Sequence, residues 1–279
     1  MSILKCILKG DLPELTTDDV VIAKTAPFEF VSYLITAGTG AKILFVGHPK
    51  RLDVSCFDWI VATPSTPSSA ANIKLELLPG SFTPEEFATT RVASDPTQCC
   101  YGFLVGGSSR GYPFCDSDWD ALIDLISAIR EYDDSAVWSI STSPRTDPYF
   151  EDQLKALRTA RPELFSGVFL WNEGERANVL EVLQCSSLVF VTEDSASMLC
   201  EALSTGLPVL SLRPEASTFH SLSTPLSDFH EEKGRLMRFK IKSFRFSSTR
   251  DFEVNYANLS TEHWTDSLRR QFFVTVCCK

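Results

Sequence analysis

Residues 189–213 read VFVTEDSASMLCEALSTGLPVLSLR, and the punctuation of this stretch lays out strand, turn, helix, turn and strand. Val189, Phe190 and Val191 form a short apolar run of β-prone residues. Asp194 and Ser195 carry the short polar side chains that accept hydrogen bonds from the first amides of a helix. That helix is expected over 196–203, with Met198, Leu199, Ala202 and Leu203 along one side. Gly206 falls where a helix end needs a positive φ, and Pro208 opens the next strand, 209–212. A βαβ unit of this kind aims a helix N-terminus, with unpaired amides and the positive end of its dipole, at the carboxyl edge of a parallel sheet. Such an edge can hold an anion.

Glu193 and Glu201 flank the helix at a spacing of E-x7-E. Both carboxylates reach one crevice only if the turn before the helix folds back; otherwise they are an acidic cap and a solvated helical glutamate. The spacing, followed by ALSTGLPVL, resembles the donor-binding segment of retaining GT-B glycosyltransferases. That resemblance implies that Glu201 holds ribose hydroxyls while the helix N-terminus faces a diphosphate.

The 279 residues suit two domains better than one, and 44% hydrophobic with 22% charged residues describes an ordinary globular chain. No apolar run approaches the ~20 residues of a membrane-spanning helix, and the start MSILKCILKGDLPEL lacks the pattern of a secretory signal, so a cytoplasmic location is expected. The nine cysteines (6, 56, 99, 100, 115, 185, 200, 277 and 278) lack the paired spacing of a zinc site and are expected as reduced thiols. A net charge of −10 argues against a broad nucleic-acid surface. An anionic ligand must therefore be held by local features.

Along the chain, strands alternate with helices or loops throughout, which implies an α/β protein with parallel sheets. Residues 1–98 contain expected strands at 20–23, 42–46, 57–62 and 73–78 and a helix at 28–37. This reads as a Rossmann-like domain truncated at its start, with 93–100 as a linker. Residues 99–225 read as a second, complete Rossmann-like domain: strands at 101–105, 136–140, 168–171, 189–191 and 209–212, helices at 117–132, 149–159, 176–184 and 196–203. Residues 226–279 form an extension expected to pack back on the domains. Within it, seven basic residues at 233–250 (Lys233, Arg235, Arg238, Lys240, Lys242, Arg245, Arg250) alternate with aromatic ones. They offer either a solvated edge or a basic face for peripheral membrane contact.

In a parallel sheet the turns after successive strands share one edge. Gly106-Gly107-Ser108-Ser109 admits close approach of a ligand to backbone; taken alone it is an ordinary turn. The segment 141–146 brings hydroxyls (Ser143, Thr146) and Arg145, which can grip phosphate bidentately. The third turn is Glu193-Asp194-Ser195. The topology predicts that all three converge.

On these residues the chain resembles the family named for a plant mitochondrial-fission (ELM) protein, whose bacterial members have been labelled predicted nucleoside-diphosphate-sugar epimerases. The matching residues are Gly106-Gly107-Ser108, Thr142-Ser143-x-Arg145-Thr146, Val191-Thr192-Glu193-Asp194-Ser195-x-Ser197-Met198, Glu201-Ala202 and Gly206-x-Pro208-Val209. Weaker matches are Thr25-Ala26-Pro27 and Pro49 near the start, and Phe229-His230 with Gly234-Arg235 near the end. The Gly-Gly-Ser loop also resembles the nucleotide-sugar loop of MurG-type transferases. The resemblance implies a GT-B-like fold of two Rossmann-like domains and a substrate-binding set of Gly106, Gly107, Ser108, Ser143, Arg145, Thr146, Asp194, Ser195, Ser197, Met198 and Glu201. His48 stands where the family tends to carry an amide residue before the proline, and the family's first strand and glycine loop are absent.

Three functions follow from this reading. A metal-independent glycosyltransferase would hold a nucleotide-diphosphate sugar on the three turns, with Arg145 offsetting charge on the leaving diphosphate. Glu193 or Asp194 would hold the sugar, and His48 would serve as base if the reaction inverts. No cofactor is expected beyond the nucleotide sugar as substrate. A nucleotide-sugar epimerase or hydrolase would use the same donor site without an acceptor. An adaptor would keep the fold and lose the chemistry; the short first half favours it, because a cleft lacking a wall admits water.

Overall fold

The structure is a computed structural model, and it describes residues 14–24, 26–64, 73–90, 99–175, 179–218, 223–246, 265–266 and 270–271. The chain divides into two compact units, one formed by 1–76 with 266–279 and the other by 77–265.

The first unit holds β1 (Val20–Lys24), α1 (Ala26–Ala37), β2 (Lys42–Val46), β3 (Trp59–Ala62) and β4 (Ile73–Lys74). These strands make a parallel sheet in the order β1-β2-β3-β4. Ile43, Phe45, Phe57 and Ile60 fill one side of it and Leu44, Val61, Ile73 and Leu75 the other. Strand residues of alternate parity thus serve opposite faces, as the pleat requires. The strand expected over 73–78 is paired only at 73–74, since the chain beyond leaves for the second unit.

The second unit begins with α2 (Pro84–Thr90) and continues through β5 (Cys99–Leu104), α3 (Asp116–Ser127), α4 (Ile129–Tyr132), β6 (Ala136–Ser141), α5 (Pro148–Ala160), β7 (Phe165–Phe169), α6 (Val179–Gln184), β8 (Leu188–Thr192), α7 (Ala196–Ser204), β9 (Val209–Arg213), α8 (Ser223–Glu232) and β10 (Met237–Lys240). All its strands are parallel, in the order β10-β9-β8-β5-β6-β7. The face with α3 and α5 buries Trp119, Leu122, Phe150 and Leu154 against Phe103, Trp138 and Phe190. The other face buries Leu183 of α6 and Leu199 and Leu203 of α7 against Leu104, Val189, Val191 and Val209. Aliphatic and aromatic side chains shielded this completely supply most of the unit's stability, each contributing about 1.5–3 kcal/mol by removal from water.

Two boundaries differ from the sequence reading. The break between units lies at 76/77 rather than 98/99, because Leu77, Phe82 and Phe87 bury themselves with Leu199 and Leu207. The segment expected as a linker, 93–100, lies mostly outside the described residues, and its last two residues already belong to β5. The extension also joins the second unit as a strand: β10 pairs in parallel with β9, Arg238 opposite Ser211. Three residues of the basic face expected there have acidic neighbours within the chain. Arg238 is 5% exposed and bound to Glu193, Lys240 pairs with Glu215 at 3.4 Å, and Lys242 lies 3.8 Å from Asp118. Residues 247–264 fall outside the described residues, and beyond them the structure describes only 265–266 and 270–271.

Local signals explain the helix starts. Asp147 caps α5, accepting from the Tyr149 amide at 3.0 Å with Pro148 in the first turn. Asp147→Ala is expected to cost about 1 kcal/mol, read as a shift of the urea midpoint at unchanged slope. At α3 the cap is Cys115, two residues before the helix start expected at 117, and Asp118 reaches back to the Cys115 amide at 3.2 Å. The six cysteines within the described residues are free thiols. Among the described residues no helix is long and apolar enough to cross a membrane.

Candidate functional site

The order of the second sheet reverses at β5: β6 and β7 lie to one side, β8, β9 and β10 to the other. Turns leaving β5 and β8 therefore part toward opposite faces, and a crevice opens outside their carboxyl ends. The three turns singled out in the sequence meet there. The Gly106 amide donates to Thr192 Oγ1 at 2.6 Å and the Gly107 amide to Asp194 Oδ2 at 3.2 Å, tying the β5 turn to the β8 turn. Thr146 Oγ1 lies 2.6 Å from the Gly106 carbonyl and 3.0 Å from that of Val105, tying in the β6 turn. Arg145 completes the ring with an ion pair to Asp194 Oδ2 at 2.7 Å.

The glycines are required by crowding. A Cβ on Gly107 would penetrate the Arg145 carbonyl and stand 2.9 Å from the Thr146 nitrogen; a Cβ on Gly106 would enter the Asp194 carboxylate. These amides were expected to hold phosphate. Instead they are spent on the protein's own acceptors, so the turn acts as a brace. Ser108 likewise accepts from the Phe114 amide at 3.0 Å.

The groups facing outward are fewer. The Arg145 side chain is 41% exposed. Ser143 supports its turn, accepting from the Arg145 amide at 3.3 Å while its own amide donates to Thr146 Oγ1 at 2.9 Å. Ser195 is the cap of α7, accepting from Met198 N at 3.5 Å; Asp194, the other expected cap, points to Arg145. The first-turn amides of Ala196 and Ser197 have no intrahelical acceptor, as at any helix start, and Ser197 is exposed. Met198 packs against the core on the α7 face.

Asp194 is the electrostatic centre of the ring. Its carboxyl is held above the usual range by burial, against which the Thr192 hydroxyl, the Arg145 charge and the Gly107 amide all work. Its Oδ1 is fully shielded and has no hydrogen-bond partner.

Glu193, expected as a catalytic or sugar-holding group, turns the other way. It is wholly buried, Oε1 accepting from Tyr112 at 3.0 Å and from Arg238, and Oε2 from Arg238 Nε at 3.0 Å and Ser211 at 3.3 Å. Burial disfavours the charge on Arg238, yet Glu193 and Asp228 outweigh it and hold the guanidinium more firmly protonated than usual. Both carboxylate oxygens are thus occupied, and Glu193 is a clasp between β8, β9 and β10. Arg238, the partner that makes it so, was read in the sequence only as part of a basic face. Glu201 sits further along α7, where Oε1 accepts from the Ser81 hydroxyl at 2.8 Å and amide at 3.2 Å, so a ribose would compete with Ser81 for it. His48 follows β2 in the first unit, half-buried, with Nδ1 shielded and unbonded.

Solved structures share this architecture. S. aureus MnaA, in a co-structure with UDP, is 12% identical with a TM-score of 0.58, the match covering 93% of this chain and 74% of that one. UDP-GlcNAc 2-epimerase from Neisseria meningitidis, bound to UDP-GlcNAc, is 11% identical with a TM-score of 0.59, covering 94% and 76%. The glycotransferase of kitacinnamycin is 10% identical with a TM-score of 0.52, covering 98% and 73%. At these identities the likeness is one of fold, that of GT-B glycosyltransferases and epimerases. Among curated proteins no relative matches the sequence. The family described as Mitochondrial fission ELM1 matches residues 11–263. Most of the chain is spanned by that match, both sheets and all three turns included, and the chain belongs to the mitochondrial fission ELM1 family.

Proposed function

We propose that the rim outside β5, β6 and β8 binds the diphosphate of a nucleotide sugar and that the chain is a metal-independent glycosyltransferase. The observation that carries this reading is Arg145, a half-exposed guanidinium seated on a buried carboxylate beside a helix N-terminus. An arginine held this way is pre-oriented, and anion binding loses less side-chain entropy than it would with a free one. Arg145 and the amides of Ala196 and Ser197 would take the two phosphates. The same groups would stabilise the diphosphate as it leaves. Asp194, braced by Gly107, keeps Arg145 in place, and Ser143 and Thr146 keep its turn rigid. Glu201 is assigned to the ribose in exchange for Ser81. His48 is the candidate base if the transfer inverts.

A second reading, epimerisation or hydrolysis of the sugar nucleotide, draws support from the UDP and UDP-GlcNAc bound to the fold neighbours. Incubation with a labelled nucleotide sugar and no acceptor separates the two, since only the second reading changes the sugar.

Binding itself is tested by thermal shift against UDP, GDP, ADP and CMP and their sugars. A ligand at about 100 times its Kd adds roughly 2.7 kcal/mol to stability, a rise of several degrees. Arg145→Ala is expected to abolish that rise. Because it also leaves the buried Asp194 carboxylate without its cation, its unliganded melting temperature is expected to fall, and the ligand shift is read against that variant's own unliganded value. No shift with any nucleotide would leave the adaptor reading in its place.

A further inference from the structure

The Asp194 carboxylate has one oxygen that does nothing for the protein in its present state. Oδ2 carries the Arg145 ion pair at 2.7 Å and the Gly107 amide at 3.2 Å. Oδ1 is shielded from water, has no hydrogen-bond partner, and lies against Gly106, where even a Cβ would not fit. A bare carboxylate oxygen in such a place is costly, and the compensating charge comes from Arg145. Among the described residues Arg145 is the only cation in an ion pair with Asp194: the β5 turn offers amides, the β6 turn the Ser143 and Thr146 hydroxyls, β8 the Thr192 hydroxyl and α7 the Ser195 hydroxyl, while Arg213 at the end of the neighbouring β9 makes no ion pair with it. The neighbouring acid, Glu193, is already matched by Arg238. Arg145 is also the exposed member of the pair, while the Asp194 side chain is 0% exposed. An arriving anion can therefore reach the cation and not the acid.

Resting on the nucleotide-site reading above, we infer that diphosphate binding is coupled to proton uptake at Asp194: the phosphates draw the Arg145 charge to themselves, and Asp194 takes a proton from solvent. Two changes push the same way. The guanidinium now serves the ligand, and a dianionic group stands nearby; both favour the neutral carboxyl. The balance is one solvent proton consumed per ligand bound, with the O–H on Oδ1, where the site gains a donor it lacked. Burial already holds the free carboxyl above its ordinary range, so ligand binding pushes in the direction the fold already favours. The sign follows directly. The complex binds the proton more tightly than the free protein, so affinity is greatest at low pH. It falls as pH rises through the carboxyl pKa of the complex, by up to about tenfold per unit.

Isothermal titration of UDP-, GDP- and ADP-hexoses in buffers of different ionisation heat measures the protons directly. Their diphosphates are doubly esterified and have no group titrating near neutrality, so uptake cannot come from the ligand. The expected result is up to one proton taken up per ligand in the parent chain and none in Asp194→Asn, whose affinity no longer varies with pH. Binding without uptake, or uptake that persists in Asp194→Asn, overturns the inference and leaves the nucleotide site standing. Absence of binding by any of the hexoses at any pH removes both. Should Asp194→Asn fail to fold, difference infrared spectroscopy of the parent decides, because a protonated-carboxyl band must appear on binding and its absence is an overturning result.

Discussion

Gly107→Ala is expected to eliminate nucleotide binding and to lower the melting temperature of the second unit by several degrees. The added Cβ cannot be housed: it would occupy the Arg145 carbonyl, a backbone atom that no rotamer change can move aside. The β5 and β6 turns must separate. That breaks the Gly107–Asp194 bond and strains the Thr146 contacts that hold the three turns together. Overpacking of this kind costs about 1–3 kcal/mol, and displacement of a binding group by about 1 Å can cost roughly 100-fold in affinity or rate. Gly174→Ala is the matched control. It too is a glycine, with φ of 79°, but a Cβ there meets nothing within 4 Å, so its cost is the backbone term of about 1–2 kcal/mol with binding unaltered. Calorimetric melting and nucleotide titration of the two variants side by side check the expectation. Equal losses of binding in both would mean that the three turns do not work as one site.

Arg238→Met is expected to be the most destabilising single change outside the apolar core. It leaves the Glu193 carboxylate, fully buried, with only the Tyr112 and Ser211 hydroxyls against its charge. Stranding one member of a buried pair costs about 3–5 kcal/mol. At about 2–4 °C per kcal/mol for a unit of this size, the melting temperature should fall by on the order of 10 °C. Glu193→Gln should cost less, because Arg238 keeps Asp228 and Glu231, whose side chains are 50% and 47% exposed. The double variant Glu193→Gln/Arg238→Met should recover much of the loss, since no unpaired charge remains inside. Urea denaturation of the four proteins closes the cycle. An Arg238→Met cost under about 1 kcal/mol would show that water reaches the pair and that the clasp is not a buried one.

The clasp also shows where a sequence reading of this site stops. Glu193 precedes a helix at a sheet edge, and one residue's difference in direction decides whether its carboxylate faces a crevice or the sheet. What turns it inward is Arg238, 45 residues later, on a strand that exists only because it pairs with β9. Alternating basic and aromatic residues at the end of a chain look alike whether the cations meet water or a buried acid. Glu201 raises the same difficulty, since Ser81 is 120 positions away. The helix over 84–90 leaves no mark in the sequence, because its seven residues are too few for a period to show.

Periodicity and punctuation were sufficient for the βαβ order, the parallel sheets, the helix beginning at 196, and the meeting of the turns near 107, 145 and 194. These are local or topological properties: a short chain segment encodes its own strand or helix, and parallel connection sends each following turn to one edge. Which way the polar side chains on that edge would point needed the folded chain. Gly106 and Gly107 are spent internally, Arg145 rests on Asp194, and Glu193 is withdrawn behind Arg238, all through contacts between residues far apart in sequence. Burial and pairing of charge depend on what arrives from elsewhere in the chain, and no window of neighbouring residues contains that.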